Sequence, residues 1–191
     1  MISFITEPHT RDDKITGMPR GTKSIYCRHT DRNGAPRAGI ITSAGVMISA
    51  MESWCNRDCA VALTKIGGVQ TILISLYLDI TKAVQPKWLD DLMTMIEKKK
   101  LPLIMGIDSN AHSSMYGPST NARGDAFEDF VLQYGLKVEN VGTTPTFEVR
   151  RGNKMIQTHI DVTLTRGLTQ KVEQWTVDQS YNASDLSLIH I

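Results

Sequence analysis

The chain has 191 residues, 21 Lys and Arg against 20 Asp and Glu, and 41% apolar side chains, which fits one domain over residues 1–191 and excludes global disorder. The net charge of +1 removes the argument for nucleic-acid binding that a strongly basic chain would supply, while leaving room for a local basic groove. The longest uncharged run, Ala38 to Met51, is 14 residues, too short for a membrane span. Met1–Ile5 lacks the basic start of a signal peptide, and Cys27, Cys55 and Cys59 follow no disulfide framework, which predicts an intracellular protein with reduced thiols.

In chain order, short β-rich runs between turn signals predict strands over Ile2–Thr6, Ser24–His29, Ala38–Thr42, Val46–Ala50, Cys59–Ile66 and Val69–Leu78, with Gly67-Gly68 as a hairpin turn. The period then changes. Trp88, Leu89, Leu92, Met93, Met95 and Ile96 share one face of a predicted helix over Pro86–Lys100, whose terminal lysines suit the helix dipole. Leu101–Ile107 is a continuous apolar run, read as a buried strand, and Asp108–Asn121 is a polar loop. Ala126, Phe127, Phe130, Val131 and Tyr134 mark a second amphipathic helix closed by Gly135. Strands return over Leu136–Asn140, Thr146–Arg150, Met155–Thr165 and Lys171–Val177. The pattern predicts an α+β fold, two mainly antiparallel sheets packed face to face with helices outside.

Asp108, Asn110 and His112 follow a buried strand directly, where polar groups are held rigidly and face solvent; taken alone, an Asx-rich turn explains them better. Asp161 is harder to explain away, because it lies inside a run that otherwise wants to be a strand, and a carboxylate is expensive to bury without a partner. With Glu7 after Ile2–Thr6 and Asp185 beside Leu186–Ile189, four acids sit at strand ends or within strands. Such a set suits a hard cation that prefers oxygen ligands. Cys55 and Cys59, with Cys27 and His29, match no usual structural zinc spacing. Arg20, Lys23, Arg28, Arg32 and Arg37 form one basic zone and Arg150, Arg151 and Lys154 another, either solvated turns or the sides of a DNA groove. Trp54, Trp88 and Trp175 read as core.

The ordered set Thr6-Glu7-Pro8, Tyr77, Gly106 to His112, Thr120 to Gly124, Thr144 to Phe147, His159-Ile-Asp161 and Ser184-Asp185 resembles the endonuclease/exonuclease/phosphatase superfamily. More narrowly, it resembles the apurinic-like endonuclease domain of non-LTR (LINE-type) retrotransposons. The resemblance implies a Mg²⁺- or Mn²⁺-dependent DNA endonuclease that nicks one strand to prime reverse transcription. It also implies DNA as partner, no membrane partner, a reverse transcriptase domain in the parent polyprotein and action in the nucleus. By the same resemblance Glu7 ligates the metal and Asp185 helps hold it. Asp108 serves in proton transfer, Asn110 and Tyr77 contact the scissile phosphate, and Asp161 orients the histidine that follows the final Asp of the family pattern. His112, Asn121, Arg123, Thr146 and Phe147 are implied on the substrate side, the last two in a hairpin pressed against DNA.

The pattern departs in two places. Where the family has Ser-Asp-His, this chain has Ser184-Asp185-Leu186, and leucine neither binds a proton nor donates a hydrogen bond. The family also carries a strand with an Asn metal ligand, then a helix, ahead of the segment matching Met1. The expectation is a fold without that first strand and helix, with sheet edges open to homo-oligomerisation. Leu186 keeps an alternative in play, an impaired relic that binds nucleic acid or protein without cleaving. A small-phosphoester hydrolase is a third reading, disfavoured by Thr120–Gly124 and Thr144–Phe147.

Overall fold

A computed structural model describes residues 1–27, 34–169, 172–178 and 188–190. The elements in chain order are β1 (Ile2–Thr6), β2 (Thr10–Arg11), β3 (Lys14–Ile15), β4 (Thr22–Ile25), β5 (Ala38–Ser43), β6 (Ile48–Ala50), β7 (Cys59–Ile66), β8 (Val69–Tyr77), α1 (Lys87–Lys98), β9 (Leu103–Asp108), α2 (Ala122–Gln133), β10 (Lys137–Val138), β11 (Phe147–Arg151), β12 (Lys154–Thr158), β13 (Asp161–Arg166), β14 (Thr176–Asp178) and β15 (Leu188–His190).

The larger sheet has the order β10-β13-β9-β8-β7-β6, and the smaller β1-β5-β4. Every neighbouring pair is antiparallel except β8 and β9, which run parallel because α1 returns the chain to the same end of the sheet. β8 and β9 lie at the middle of this sheet and are buried on both faces over most of their length, which is why Leu101–Ile107 reads as a continuous apolar run. Among the described residues β1 pairs with β5 alone, so it forms an open edge.

The two faces of the larger sheet bury different partners. On one, Leu89, Leu92, Met93 and Ile96 of α1 and Phe127, Phe130 and Val131 of α2 pack on Ile72, Ile74, Leu76 and Met105. On the other, Ala60, Ala62 and Leu73 meet Ile40, with Phe4 against them. A Cβ on Gly106 would lie 2.7 Å from the Phe4 Cβ, so the absence of a side chain there is what lets the sheets touch.

Most predicted strands appear within a residue or two, and the Gly67-Gly68 hairpin forms. The differences have local causes. The second helix begins at Ala122 because the Asn121 side chain accepts from the Gly124 N–H at 2.8 Å, and Ala126 faces solvent. Met155–Thr165 is two strands instead of one. The Thr146 hydroxyl accepts from the N–H groups of Ile160 at 3.1 Å and Asp161 at 3.0 Å, and this turns the chain from the β11–β12 hairpin into the larger sheet. The strand expected over Ser24–His29 is Thr22–Ile25; residues 28 and 29 lie outside the described residues. Trp175 is buried and donates to the Thr163 hydroxyl, whereas Trp54 and Trp88 are half-buried. Cys59 is buried, and Cys27 and Cys55 are half-buried.

Candidate active site

The parallel pairing of β8 and β9 sets Tyr77 beside Asp108, and the antiparallel pairing of β9 and β13 sets Asp108 opposite Asp161. Glu7 follows β1 with φ of 46°, its N–H bonded to the Arg37 carbonyl at 2.8 Å. Asn110 also has φ of 46°, and its side-chain amide donates to the Leu78 carbonyl at 3.2 Å. Glu7, Asp108, Asn110 and His112 line a cleft of about 270 Å³ whose other wall is Phe147, Thr158 and Ile160. Two positive-φ residues other than glycine in one cleft are strained backbone of the sort found at functional sites.

The carboxylates sit in each other's field. Burial, and then the Glu7 charge, push the Asp108 carboxyl up to about 7, against the Asn110 N–H and the charges of Arg123 and Arg37. Asp161 is raised well above the ordinary range by burial and by the charges of Asp108 and Glu7, opposed in part by the Thr146 hydroxyl. Its Oδ2 is buried without a hydrogen-bond partner among the described residues. Burial, then Glu7 and Asp108, raise the Tyr77 phenol. Ser109, fully buried between these groups, holds the pair together: its N–H and hydroxyl both donate to the Ile160 carbonyl, at 2.8 and 2.7 Å.

Glu7, Tyr77, Asp108, Asn110 and Asp161 therefore come together as the sequence implied, with His112 and Phe147 on the cleft wall. Asp185, like Leu186, lies outside the described residues. Three residues implied on the substrate side have partners within the chain. Thr146 is buried, and its hydroxyl is spent on the backbone of Ile160 and Asp161. Asn121 caps α2. The Arg123 guanidinium donates to the carbonyls of Lys82 at 2.7 Å, Asp79 at 3.0 Å, Leu78 at 3.1 Å and Ser109 at 3.3 Å, so it clasps backbone. Arg37, read as part of a basic groove, is half-buried in ion pairs with Asp58 at 2.7 Å and Asp79 at 2.8 Å. No sequence signal singled out Ser109 or Asp58, whose roles depend on contacts far along the chain. Arg150, Arg151 and Lys154 are exposed near the tip of the β11–β12 hairpin, beside the cleft wall. Among the described residues no three His, Cys, Asp or Glu side chains form a metal cage, and no helix is long and apolar enough to cross a membrane.

The endonuclease-reverse transcriptase family pattern matches residues 71–189. Over 206 aligned positions the chain is 24% identical to the 115 kDa protein of the type-1 retrotransposable element R1DM of Drosophila melanogaster, covering 100% of this chain and 19% of that protein. The chain thus spans about a fifth of that relative. The endonuclease domain of TRAS1, a telomere-specific non-LTR retrotransposon, superposes with a TM-score of 0.82 at 25% identity, over 98% of this chain and 83% of that one. The Neisseria 3′ phosphatase NExo, bound to a product DNA hairpin, shares the fold with a TM-score of 0.56 at 16% identity, over 88% of this chain and 78% of that one. With the family pattern matched over residues 71–189, more than half of its length, and with strand ends that gather Glu7, Tyr77, Asp108, Asn110 and Asp161, the chain belongs to the endonuclease-reverse transcriptase family.

Proposed function

We propose that this chain is a divalent-cation-dependent DNA endonuclease domain that nicks one strand to prime reverse transcription by a polymerase domain of the same polyprotein, acting in the nucleus. The observation that carries the reading is the facing pair Asp108 and Asp161 under Glu7. Carboxyls raised first by burial, and then Asp108 by the Glu7 charge and Asp161 by those of Asp108 and Glu7, are arranged for proton transfer.

The donor set fits Mg²⁺ or Mn²⁺. All the acidic groups are oxygen donors, and the Asp161 Oδ2 is buried without a hydrogen-bond partner among the described residues. Glu7 at the cleft wall would hold the ion, together with Asp185 if it follows the family pattern; Mg²⁺ accepts one or two carboxylates and keeps its remaining waters. When bound, such an ion supplies charge to the phosphate and the leaving oxygen. The chain's own residues do the rest. With its carboxyl near 7, Asp108 takes the proton of the water that attacks phosphorus, as the P–O3′ bond breaks with its electron pair on O3′. Asn110 and the Tyr77 phenol donate to the non-bridging oxygens.

Leu186, where the family pattern has His, favours a second reading in which cleavage is impaired and nucleic-acid or protein binding remains. Supercoiled plasmid incubated with Mg²⁺ or with EDTA separates the two. Relaxed circles that require the metal support the nuclease; salt-dependent DNA retention without nicking supports the relic.

A further inference from the structure

We propose that Arg37 is a positioning residue that joins the two sides of the reaction centre, holding Glu7 by its backbone and Tyr77 by its side chain. The proposal rests on the nuclease reading, which assigns the cation to Glu7 and the phosphate to Tyr77.

The geometry points to this from both ends of one residue. The Arg37 carbonyl accepts the Glu7 N–H at 2.8 Å, at the turn where Glu7 leaves β1, and its own N–H is held by the Arg57 carbonyl at 2.7 Å. The backbone is thus pinned on both sides. The guanidinium lies over the Tyr77 ring, 4.3 Å from its centroid. It cannot swing away, because Nε donates to Asp58 at 2.7 Å and Nη2 to Asp79 at 2.8 Å. Asp58 stands just ahead of β7 and Asp79 two residues after Tyr77, so the fork is gripped from two strands at once. Lys82 approaches both carboxylates, at 3.3 and 3.8 Å. Two cations therefore face two anions, and the group is balanced without an outside ligand. The result is a flat, fixed floor under the phenol, which sets where the ring points relative to Glu7. Lysine cannot reproduce it, since one ammonium has neither the planar face nor the two separate nitrogens that reach Asp58 and Asp79 at once.

The test is a double-mutant cycle on plasmid nicking, with Arg37→Met and Tyr77→Phe singly and together. We expect Arg37→Met to lower kcat about tenfold with little change in KM, a misplaced contact being costly in rate. In the Tyr77→Phe background the same substitution should cost less than about twofold. Equal losses in both backgrounds would overturn the proposal, since a residue that merely stabilises the fold acts alike in each. Arg37→Lys should recover stability to urea but not kcat; full recovery of kcat would also overturn it. A second readout is independent of cleavage: 3-fluorotyrosine placed at position 77 should shift and broaden its fluorine resonance in both Arg37 variants. An unchanged resonance refutes the proposal whether or not the native chain nicks. Absent nicking by the native chain, with that resonance still responding, defeats only the nuclease reading.

Discussion

Asn110 and Arg123 meet on a single acceptor: the Leu78 carbonyl takes the Asn110 amide at 3.2 Å and an Arg123 guanidinium nitrogen at 3.1 Å. The arginine also holds the carbonyls of Asp79, Lys82 and Ser109, so it closes the exit of β8 onto the exit of β9 and fixes the acceptor that aims Asn110. Arg123→Ala is expected to destabilise the fold by about 1–3 kcal/mol through the carbonyls it strands, and to slow nicking. The salt dependence of DNA affinity should stay as it is, because the donors are already committed. Arg150→Ala should instead reduce the slope of log affinity against log salt by about 1. Titrations at several salt concentrations distinguish the two.

Asp108 gives the fold a pH dependence of definite sign. Its carboxyl is raised from 3.8 to about 7 on folding, so the folded state binds a proton that the unfolded state releases. The stability this contributes is complete below about pH 4 and is lost as pH rises toward and through 7; Asp161 acts in the same direction. Urea midpoints without divalent cation should therefore fall between pH 5 and 7.5. Asp108→Asn should flatten that slope and raise stability at pH 7.5 by about 1–3 kcal/mol while abolishing nicking.

Gly124 occupies the first turn of α2 with no room for a methyl group. A Cβ there would lie 1.6 Å from the His112 carbonyl oxygen, a backbone atom of the cleft wall. Gly124→Ala is expected to destabilise by about 3 kcal/mol or more, since helix and loop must separate. A urea melt beside that of Ala122→Gly, at the exposed start of the same helix, checks that the position and not the residue type is responsible.

Leu186→His should raise metal-dependent nicking, because it returns a proton-binding group to the position that follows Asp185. The gain expected from one acid–base or phosphate contact is on the order of 10²-fold. The same substitution combined with Asp161→Asn should show little of that gain if Asp161 orients the new histidine. Strong nicking by the unaltered chain would refute this assignment.

Among the described residues the edge of β1 away from β5 pairs with no other strand. Edges of this kind pair with other chains. Light scattering over a wide dilution series is expected to show concentration-dependent association, and Ser3→Pro to weaken it; a monomer throughout would count against it.

The sheet core was legible because β7 and β8 are β-rich runs either side of Gly67-Gly68 and β9 lies in a continuous apolar run, and both helices showed their periods in Leu89, Leu92, Ile96 and in Phe127, Phe130, Val131. Asp161 was legible for the opposite reason, as a charge inside a run that wants to be a strand, with Glu7 and Asp108 standing at strand ends. The contacts of Thr146, Asn121 and Arg123 were not legible, because their partners are backbone atoms, which look alike at every position in a sequence. The break between β12 and β13 was hidden by a run that is strand-like on both sides of it.

The contact of Phe4 with Gly106 works as a caliper. Glu7 lies three residues beyond one jaw and Asp108 two beyond the other, and the jaws cannot slide while the aromatic ring fills the notch left by glycine. Length changes are therefore tolerable before the notch and ruinous after it. One residue inserted between Gly106 and Asp108 would turn the carboxylate to the opposite face of the sheet. Drift along the lineage should accordingly leave its insertions at the far ends of these strands and none in the short spans between notch and acid.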